Sequence, residues 1–264
     1  MPRCLRADAR RDALLPRLTT DEARCILKRK WLYIIGDSST RFLTAALLSS
    51  SLLNLSRGDS HFGTFTERKK LGCSNEGVEC LREFVDFDVP LRVTFSFNAL
   101  AKSMPANLAE LTSEAQQPDL ILFATGAWDI YQHQTAKDTF AAVVDSVKQL
   151  ETTFPRAALG VATLVSCNHC QQHPATCPLN RFIRNHKEWG PRTFIVDREP
   201  STVHENVTQA NKEGDPLPGK GPLRCEGFHA YGDIALHHLY LLLSQFAVER
   251  QLAPRTAAVI AAPA

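Results

Sequence analysis

The stretch WLYIIGDSST, residues 31–40, joins an apolar run to a cluster of polar side chains. Trp31–Ile35 combines aromatic and β-branched residues, which is typical of a buried strand. Thr40–Leu53 is rich in leucine and alanine and predicts a helix. Gly36 permits a tight turn between them and leaves space for a ligand beside the backbone. The sequence therefore predicts a strand that turns into a helix through Gly-Asp-Ser-Ser.

Strands and helices are expected to alternate along the rest of the chain. Apolar runs predict strands at Pro90–Phe97, Asp119–Thr125, Ala157–Val165 and Thr193–Val196. Helices are predicted at Asn107–Glu114, Thr139–Phe154 and Asp233–Leu252, and loops at Ser56–Cys80 and Asn206–Arg224. Continuously apolar strands indicate a sheet covered on both faces, as in a mostly parallel α/β sandwich. We expect a lead-in over residues 1–26, one domain over 27–252 and an unstructured Ala/Pro-rich tail over 253–264.

Composition narrows the functional classes. The 264 residues include 30 Lys and Arg against 28 Asp and Glu, a net charge of +2. This near balance argues against a nucleic-acid-binding protein, which usually carries a marked basic excess. No apolar stretch reaches the roughly 18 residues that a membrane-spanning helix requires. The first residues lack the apolar core of a signal peptide, which leaves a cytoplasmic protein or a chain without its targeting segment as the expectations.

Eight cysteines and two glycosylation sequons bear on the compartment. The cysteines are Cys4, Cys25, Cys73, Cys80, Cys167, Cys170, Cys177 and Cys225. An even number permits four disulfides in a secreted protein, and the sequons at Asn54 and Asn206 favour the secretory pathway, in the Golgi lumen or outside the cell. The segment CNHCQQHPATC, Cys167–Cys177, also has the atoms for zinc, but disulfides or free thiols are the favoured interpretation.

Three polar clusters follow predicted strands or precede the last helix. They are Gly36–Ser39, Thr125–Asp129 and Glu226–His229. Ligands of open parallel sheets gather at the carboxyl ends of the strands, so we expect these clusters to meet there. Ser38 would lie at the positive end of a helix dipole, close to backbone N–H groups that can hold an oxyanion.

A serine hydroxyl needs a base before it can act as a nucleophile. His229 is the candidate base, and Glu226 can orient its imidazole and stabilise the imidazolium. The competing interpretation is structural. Ser38, Ser39 or Asp37 can instead cap the following helix, and His229 can be a surface or capping residue.

The three clusters together resemble a known family. IIGDSSTR is similar to the GDS-x-x-R block of the PC-esterase branch of SGNH/GDSL hydrolases, and CEGFH resembles its D-x-x-H block, with Glu226 in the place of Asp. LILFATGAWDIY resembles the strand of the family that ends in N-T-G-x-W. The branch includes trichome-birefringence-like polysaccharide O-acetyltransferases and sialate O-acetyltransferases. The resemblance covers about Leu27 to Leu243 and implies a three-layer α/β sandwich of SGNH-hydrolase-like, flavodoxin-like topology.

The resemblance also implies residue roles. Ser38 would be the nucleophile, His229 the base and Glu226 the orienting acid. Asp37 and Arg41 would shape the site, although Arg41 equally fits a surface ion pair. Trp128 would form a wall of the acyl or sugar pocket, or else pack as a core or rim aromatic.

One departure concerns the oxyanion hole. Ala124 or Thr125 stands where the family has an Asn donor, and losing such a donor costs roughly 10²–10³ in rate. The Thr125 hydroxyl or the Gly126 N–H would have to substitute for it. We expect a second donor from a glycine after the first helix, with Gly63 preferred over Gly58.

The leading functional hypothesis is therefore a serine-dependent acyl-ester enzyme. Its acyl group passes from Ser38 to water, in an acetylesterase, or to a carbohydrate or other hydroxyl acceptor, in an O-acetyltransferase. Serine chemistry requires no metal or organic cofactor. Two alternatives stay open: an SGNH-fold binding or structural protein that has lost part of the oxyanion hole, and a cytosolic redox or zinc protein built on the cysteine cluster.

Overall fold

The computed structural model describes residues 20–49, 66–71, 81–86, 91–103, 108, 112, 116–165, 174–199, 208–209, 224–226, 229–230 and 233–252. Their helices are α1 Thr20–Leu27, α2 Ser38–Ser49, α3 Ala127–Tyr131, α4 Ala136–Thr153, α5 Thr176–Asn185 and α6 Asp233–Leu252. Their strands are β1 Lys30–Gly36, β2 Thr66–Leu71, β3 Leu81–Asp86, β4 Leu91–Phe97, β5 Leu120–Ala124, β6 Ala158–Ala162, β7 Thr193–Val196, β8 Thr208–Gln209, β9 Arg224–Glu226 and β10 His229–Ala230.

The main sheet has seven strands in the order β2-β3-β4-β1-β5-β6-β7. The run from β4 to β7 is parallel, whereas β3 pairs antiparallel with β4 and β2 with β3. β1 is central, and the chain leaves it first toward β4 and later toward β5. This reversal makes the carboxyl end of β1 the topological switch point, where ligands of such sheets bind.

Alternate residues of β1 enter two separate cores, because successive side chains of a strand face opposite ways. Leu32 and Ile34 pack with apolar side chains of α1, α2 and α6. Trp31, Tyr33 and Ile35 pack with apolar side chains of α4 and α5. The sheet is thus covered on both faces, and the predicted three-layer α/β sandwich with a mostly parallel sheet is confirmed.

Several elements differ from the sequence expectations. β2 lies inside the predicted loop Ser56–Cys80, and its sequence TERKKL has no apolar run to mark it as a strand. Its charged side chains suit the edge of the sheet, because they discourage other chains from pairing with the unpaired backbone groups there. Short strands β8 to β10 form a second, three-stranded sheet, and β8 falls inside the predicted loop Asn206–Arg224.

The predicted boundary between residues 26 and 27 falls inside α1. Ala23, Ile26 and Leu27 are buried in the core, so this helix is part of the packed unit. Helices α3 and α5 were not predicted at all. The tail 253–264 and most of the predicted helix at 107–114 lie outside the described residues.

Cys25 and Cys177 are both disulfide-bonded in the structure. The remaining six cysteines lack described side chains, and both sequons lie outside the described residues. Within the described part of the chain, no helix is long and apolar enough to cross a membrane.

Candidate functional site

The turn after β1 depends on close packing at Gly36. Gly36 lies beside Ala124 at the end of β5, and the Thr40 hydroxyl donates a 3.0 Å hydrogen bond to the Ala124 carbonyl oxygen. A Cβ atom at position 36 would come closer than 3.0 Å to that oxygen and to the Thr40 side chain. Only glycine therefore lets β1 end in contact with both β5 and the first turn of α2.

Asp37 caps α2. Its carbonyl oxygen accepts from the Arg41 N–H at 3.0 Å, and its Oδ1 accepts from the Ser39 N–H at 2.9 Å and the Ser39 hydroxyl at 2.7 Å. This is the geometry of an N-cap residue, whose side chain satisfies a helix N–H group that has no partner within the helix. Of the three capping candidates, Asp37 thus fills the role, with Ser39 as its hydrogen-bond donor.

Ser38 is the first residue of α2 and is half-buried. It follows the central strand at the switch point of the sheet, where the N-terminal end of the helix favours negative charge. The cap does not require its hydroxyl, because Asp37 supplies the accepting oxygen. Arg41, one turn further on, is exposed.

The turn after β5 lies next to the turn after β1. Gly126 has φ of 113°, a left-handed conformation that favours glycine, and precedes the first residue of α3. Thr125 is buried, and its hydroxyl has no hydrogen-bond partner among the described residues. Trp128 is 41% exposed and makes an edge contact with Tyr131, so it is a rim aromatic rather than a core residue.

The third polar cluster, Glu226–His229, belongs to the small three-stranded sheet. Glu226 ends β9 and lies opposite His229, the first residue of β10, in an antiparallel pair. β10 packs against α2, the helix that begins at Ser38. The backbone segments that carry the nucleophile and base candidates are therefore neighbours. Gly63 and Gly58 both lie outside the described residues.

The loop that follows β4 also borders the candidate site. Asn98 follows β4, its N–H donates to the Gly36 carbonyl oxygen, and its side-chain amide donates to the Leu100 and Ser103 carbonyl oxygens. The feature of the sequence that could have identified Asn98 is its position directly after a predicted strand. Since its amide hydrogens are engaged within the loop, Asn98 stiffens this loop instead of replacing the missing amide donor.

Asp129 fastens the same loop from the other side. This buried carboxyl accepts a 2.8 Å hydrogen bond from the Ala101 N–H, while Ser146 donates to the Ala101 carbonyl oxygen. Burial raises the pKa of Asp129, the Ala101 hydrogen bond and the charge of Lys102 oppose the shift, and the negative charge of Asp37 adds to it. Asp129 belongs to the polar cluster Thr125–Asp129, but the local sequence does not indicate this role.

Arg198 is a further charged residue at this edge of the sheet. It follows β7 and is 1% exposed. Its Nε donates to the Thr163 carbonyl oxygen at 2.7 Å, and its N–H donates to the Thr163 hydroxyl at 2.8 Å. Burial lowers the pKa of Arg198 to about 10, and the negative charge of Asp37 opposes that shift. The signal in sequence was a run of charges, DRE, directly after a strand.

Most of the cysteine cluster Cys167–Cys177 lies outside the described residues. Cys177 is in a disulfide. Among the described residues, no group of three or more His, Cys, Asp or Glu side chains is arranged to hold a metal ion.

Comparison with known proteins places the fold. The chain is similar to a carbohydrate esterase family 3 structure from Talaromyces cellulolyticus, with TM-score 0.51 and 13% identity over 85% of this chain and 100% of that one. An acetyl esterase carrying a serine-to-alanine substitution, bound to acetate, gives the same four values. A lipolytic G-D-S-L family protein from Veillonella parvula has TM-score 0.49 and 11% identity over 81% of this chain and 96% of its own.

No family model matches the sequence, and no curated protein matches it. At 13% identity, this structural similarity is evidence for the fold alone. The chain therefore has the SGNH-hydrolase-like α/β fold that its motifs predicted.

Proposed function

We propose that the protein is a serine-dependent acyl-ester enzyme that removes or transfers an acetyl group on a glycan. The observation that carries the proposal is the position of Ser38. It begins α2 at the switch point of the sheet, its cap is supplied by Asp37, and the strand bearing His229 packs against the same helix. This arrangement suits a nucleophile better than a capping serine.

In the proposed reaction, Ser38 Oγ attacks the acyl carbonyl carbon while its proton passes to His229. The tetrahedral intermediate expels the alcohol, which takes that proton and leaves an acyl-serine. Water or a sugar hydroxyl then attacks the acyl-serine, gives its proton to His229, and the proton returns to Ser38 Oγ. Glu226 orients the imidazole and stabilises its cation.

The glycan part of the proposal is supported by the exposed aromatic pair. Trp128 and Tyr131 are 41% and 59% exposed, and their ring centroids are 5.7 Å apart. Aromatic faces with a polar edge suit the apolar faces and hydroxyls of sugar rings. Two structures that share the fold are described as a carbohydrate esterase and an acetyl esterase. An acetylated sugar is therefore the first substrate class to test.

The nucleophile is tested by labelling with a fluorophosphonate and mapping the label by mass spectrometry. We expect the label on Ser38 in the wild-type protein, no label in Ser38→Ala, and retained label in Ser39→Ala. Ser39 is the matched control because it is the adjacent hydroxyl and belongs to the helix cap. Label on another residue, or equal labelling of Ser38→Ala, would contradict the proposal.

The substrate class is tested with Trp128→Ala and Phe182→Ala. Phe182 is 40% exposed on α5 and serves as an aromatic control that does not belong to the Trp128–Tyr131 pair. We expect Trp128→Ala to raise KM for an acetylated oligosaccharide about tenfold, while KM for p-nitrophenyl acetate stays close to wild type. Equal effects of the two variants on the oligosaccharide would argue against a sugar at this rim.

A non-catalytic SGNH-fold binding protein is the second candidate, and one observation favours it. Ala124 carries no donor, the Thr125 hydroxyl is buried, and the Asn98 amide is engaged within its own loop. An intact fold that binds the oligosaccharide but neither hydrolyses acetyl esters nor reacts with the fluorophosphonate would establish this candidate.

We also propose the secretory pathway as the compartment. The disulfides at Cys25 and Cys177 support it, because stable disulfides are rare in the reducing cytosol. Glycosidase sensitivity of the natural protein, read as a shift in mass, tests it.

A further inference from the structure

The short helix α3 carries the exposed aromatic pair and one buried acid. Trp128 and Tyr131 are 41% and 59% exposed, whereas Asp129 between them is fully buried. With five residues, α3 is far below the roughly 12 that an isolated helix needs to be stable in water, so its position depends on contacts with the rest of the fold. A carboxyl group is costly to bury compared with an apolar side chain, so Asp129 contributes something that packing alone does not require.

Asp129 forms a direct link from α3 to the loop that follows β4. Its Oδ2 accepts a 2.8 Å hydrogen bond from the Ala101 N–H, 28 residues away in the chain. Ala101 is itself fully buried, and its carbonyl oxygen accepts from the Ser146 hydroxyl of α4. Both backbone polar groups of Ala101 are therefore held, which makes this residue a fixed point for α3.

The same loop, residues 98–103, is bonded to the turn that carries Ser38. The Asn98 N–H donates to the Gly36 carbonyl oxygen at 2.8 Å, and the Asn98 side-chain amide donates to two carbonyl oxygens within the loop. Gly36 is two residues before Ser38 in the chain. A series of hydrogen bonds therefore connects the helix of the aromatic pair, through Asp129 and this loop, to the turn of the proposed nucleophile.

We infer that Asp129 is a positioning residue, which sets the spacing between the aromatic pair and Ser38. It thereby selects a glycan whose acetyl group reaches the nucleophile when a sugar ring lies on that pair. Asp129 acts through α3 and does not touch the substrate. The substrate part of this inference rests on the proposed function, whereas the link between Asp129 and the loop does not.

The test compares Asp129→Leu and Asp129→Asn with the matched control Asp119→Leu. Leucine has the same branching at Cγ as aspartate but no acceptor for the Ala101 N–H, whereas asparagine keeps one. Asp119 lies at the amino end of the sheet, and its Oδ2 likewise accepts from a backbone N–H, that of Trp31, at 3.0 Å. The control therefore removes the same kind of hydrogen bond far from Ser38.

We expect Asp129→Leu to raise KM for an acetylated oligosaccharide about tenfold, as expected of Trp128→Ala, because a displaced aromatic pair no longer holds the sugar in register. KM for p-nitrophenyl acetate should change much less, since this small ester does not extend to the pair. Asp129→Asn should recover most of the loss, and Asp119→Leu should stay near wild type. Equal changes for the two substrates, no recovery with asparagine, or an equal effect of Asp119→Leu would overturn the inference.

The double variant Trp128→Ala/Asp129→Leu identifies the route. Its KM for the oligosaccharide should be close to that of Trp128→Ala alone, because a residue that acts by placing Trp128 has little further effect once the indole is absent. Additive increases in the free energy of binding would overturn this route. If Asp129→Leu does not fold, Asp129→Ser, whose shorter side chain withdraws the acceptor from the Ala101 N–H, replaces it in both comparisons.

Hydrogen exchange read by mass spectrometry separates this inference from the proposed function. If the wild-type protein neither binds the oligosaccharide nor reacts with the ester or the label, the proposed function fails, and the role in substrate positioning fails with it. The link is measured independently, because amides of the loop 98–103 should exchange faster in Asp129→Leu than in the wild type or Asp129→Asn. Unchanged exchange in this loop would overturn the link even in an active enzyme.

Discussion

The two ends of the parallel sheet differ in the burial of their charged side chains. At the amino end, Lys30 and Asp119 form a 2.6 Å ion pair whose side chains are 16% and 26% exposed. Asp119 also accepts from the Trp31 N–H, and the Trp31 indole donates to Thr94. At the carboxyl end, Asp37, Asp129 and Arg198 are all at most 1% exposed.

A cavity of about 130 Å³ also lies at the amino end, between the end of α4 and strands β5 to β7. Glu151 at its wall accepts from the Gly190 N–H at 2.8 Å and from the Thr193 hydroxyl at 2.5 Å. The cavity is at the opposite edge from Ser38, so it is separate from the candidate site.

The difference shows where the protein carries groups that reduce its stability. Burying a charge is costly even when it is paired, whereas a partly exposed ion pair costs and contributes little. Buried charged groups with perturbed pKa values are common at functional sites. The carboxyl end carries such buried charges, whereas the amino end carries a partly exposed ion pair.

The largest expected effect is on chemistry. Ser38→Ala should lower kcat/KM for p-nitrophenyl acetate at least about 10³-fold, because it removes the proposed nucleophile. Lys30→Met, at the other end of the sheet, should leave kcat/KM unchanged. Steady-state kinetics on both variants measure the contrast, and a Ser38→Ala enzyme with wild-type turnover would remove the basis for assigning the carboxyl end as the site.

Replacing one glycine with alanine at each end of the sheet compares how tightly the two positions are packed. Gly36→Ala should destabilise the fold by about 3 kcal/mol, because the new methyl group meets the Ala124 carbonyl oxygen and the Thr40 side chain. Gly190→Ala should cost only about 1 kcal/mol, since the Glu151 carboxylate it meets can swing away with the loss of a hydrogen bond. Urea denaturation measures both, and equal losses would contradict this view of the turn.

A pH-dependent effect is expected at Asp129. Because burial raises its pKa above 3.8, the folded protein loses stability as the pH rises through the pKa of the unfolded chain toward that of the folded one. Asn does not titrate and keeps an oxygen for the Ala101 N–H. Asp129→Asn should therefore raise Tm modestly at pH 7 and have little effect below pH 3.8.

Asp119→Asn is the control for this titration at the amino end. It removes the charge from the pair with Lys30 and should lower Tm slightly at pH 7. Thermal denaturation across this pH range compares the two variants, and a lower Tm for Asp129→Asn at pH 7 would refute the prediction.

The smallest expected effect is the loss of the ion pair at the amino end. Lys30→Met should cost about 0.5 kcal/mol, and the difference should shrink at high ionic strength, because the pair is partly exposed and screened by salt. Urea denaturation at low and high salt measures it. A loss well above 1 kcal/mol would show that the amino end also depends on its charges.

Local patterns were sufficient for the central layers of the fold. β1 and β4 to β7 are apolar or strongly β-prone, and their positions agree with the prediction to within a few residues. The edge strand β2 was missed because its charges carry no apolar signal, and a strand is stabilised there by its pairing with β3. Likewise, β10 pairs through only His229 and Ala230, which is too short to produce a pattern.

The sequence by itself determined a parallel α/β sandwich and Ser38 as the serine to test, because strand and helix periodicities and the Gly-Asp-Ser-Ser turn are local properties of the chain. Only the tertiary structure decided that Asp129 and Arg198 are buried at the same edge of the sheet as Asp37, and that the strand bearing His229 packs against α2. These residues are far apart in sequence. Their burial is fixed only when the strand order brings the carboxyl ends of the strands together.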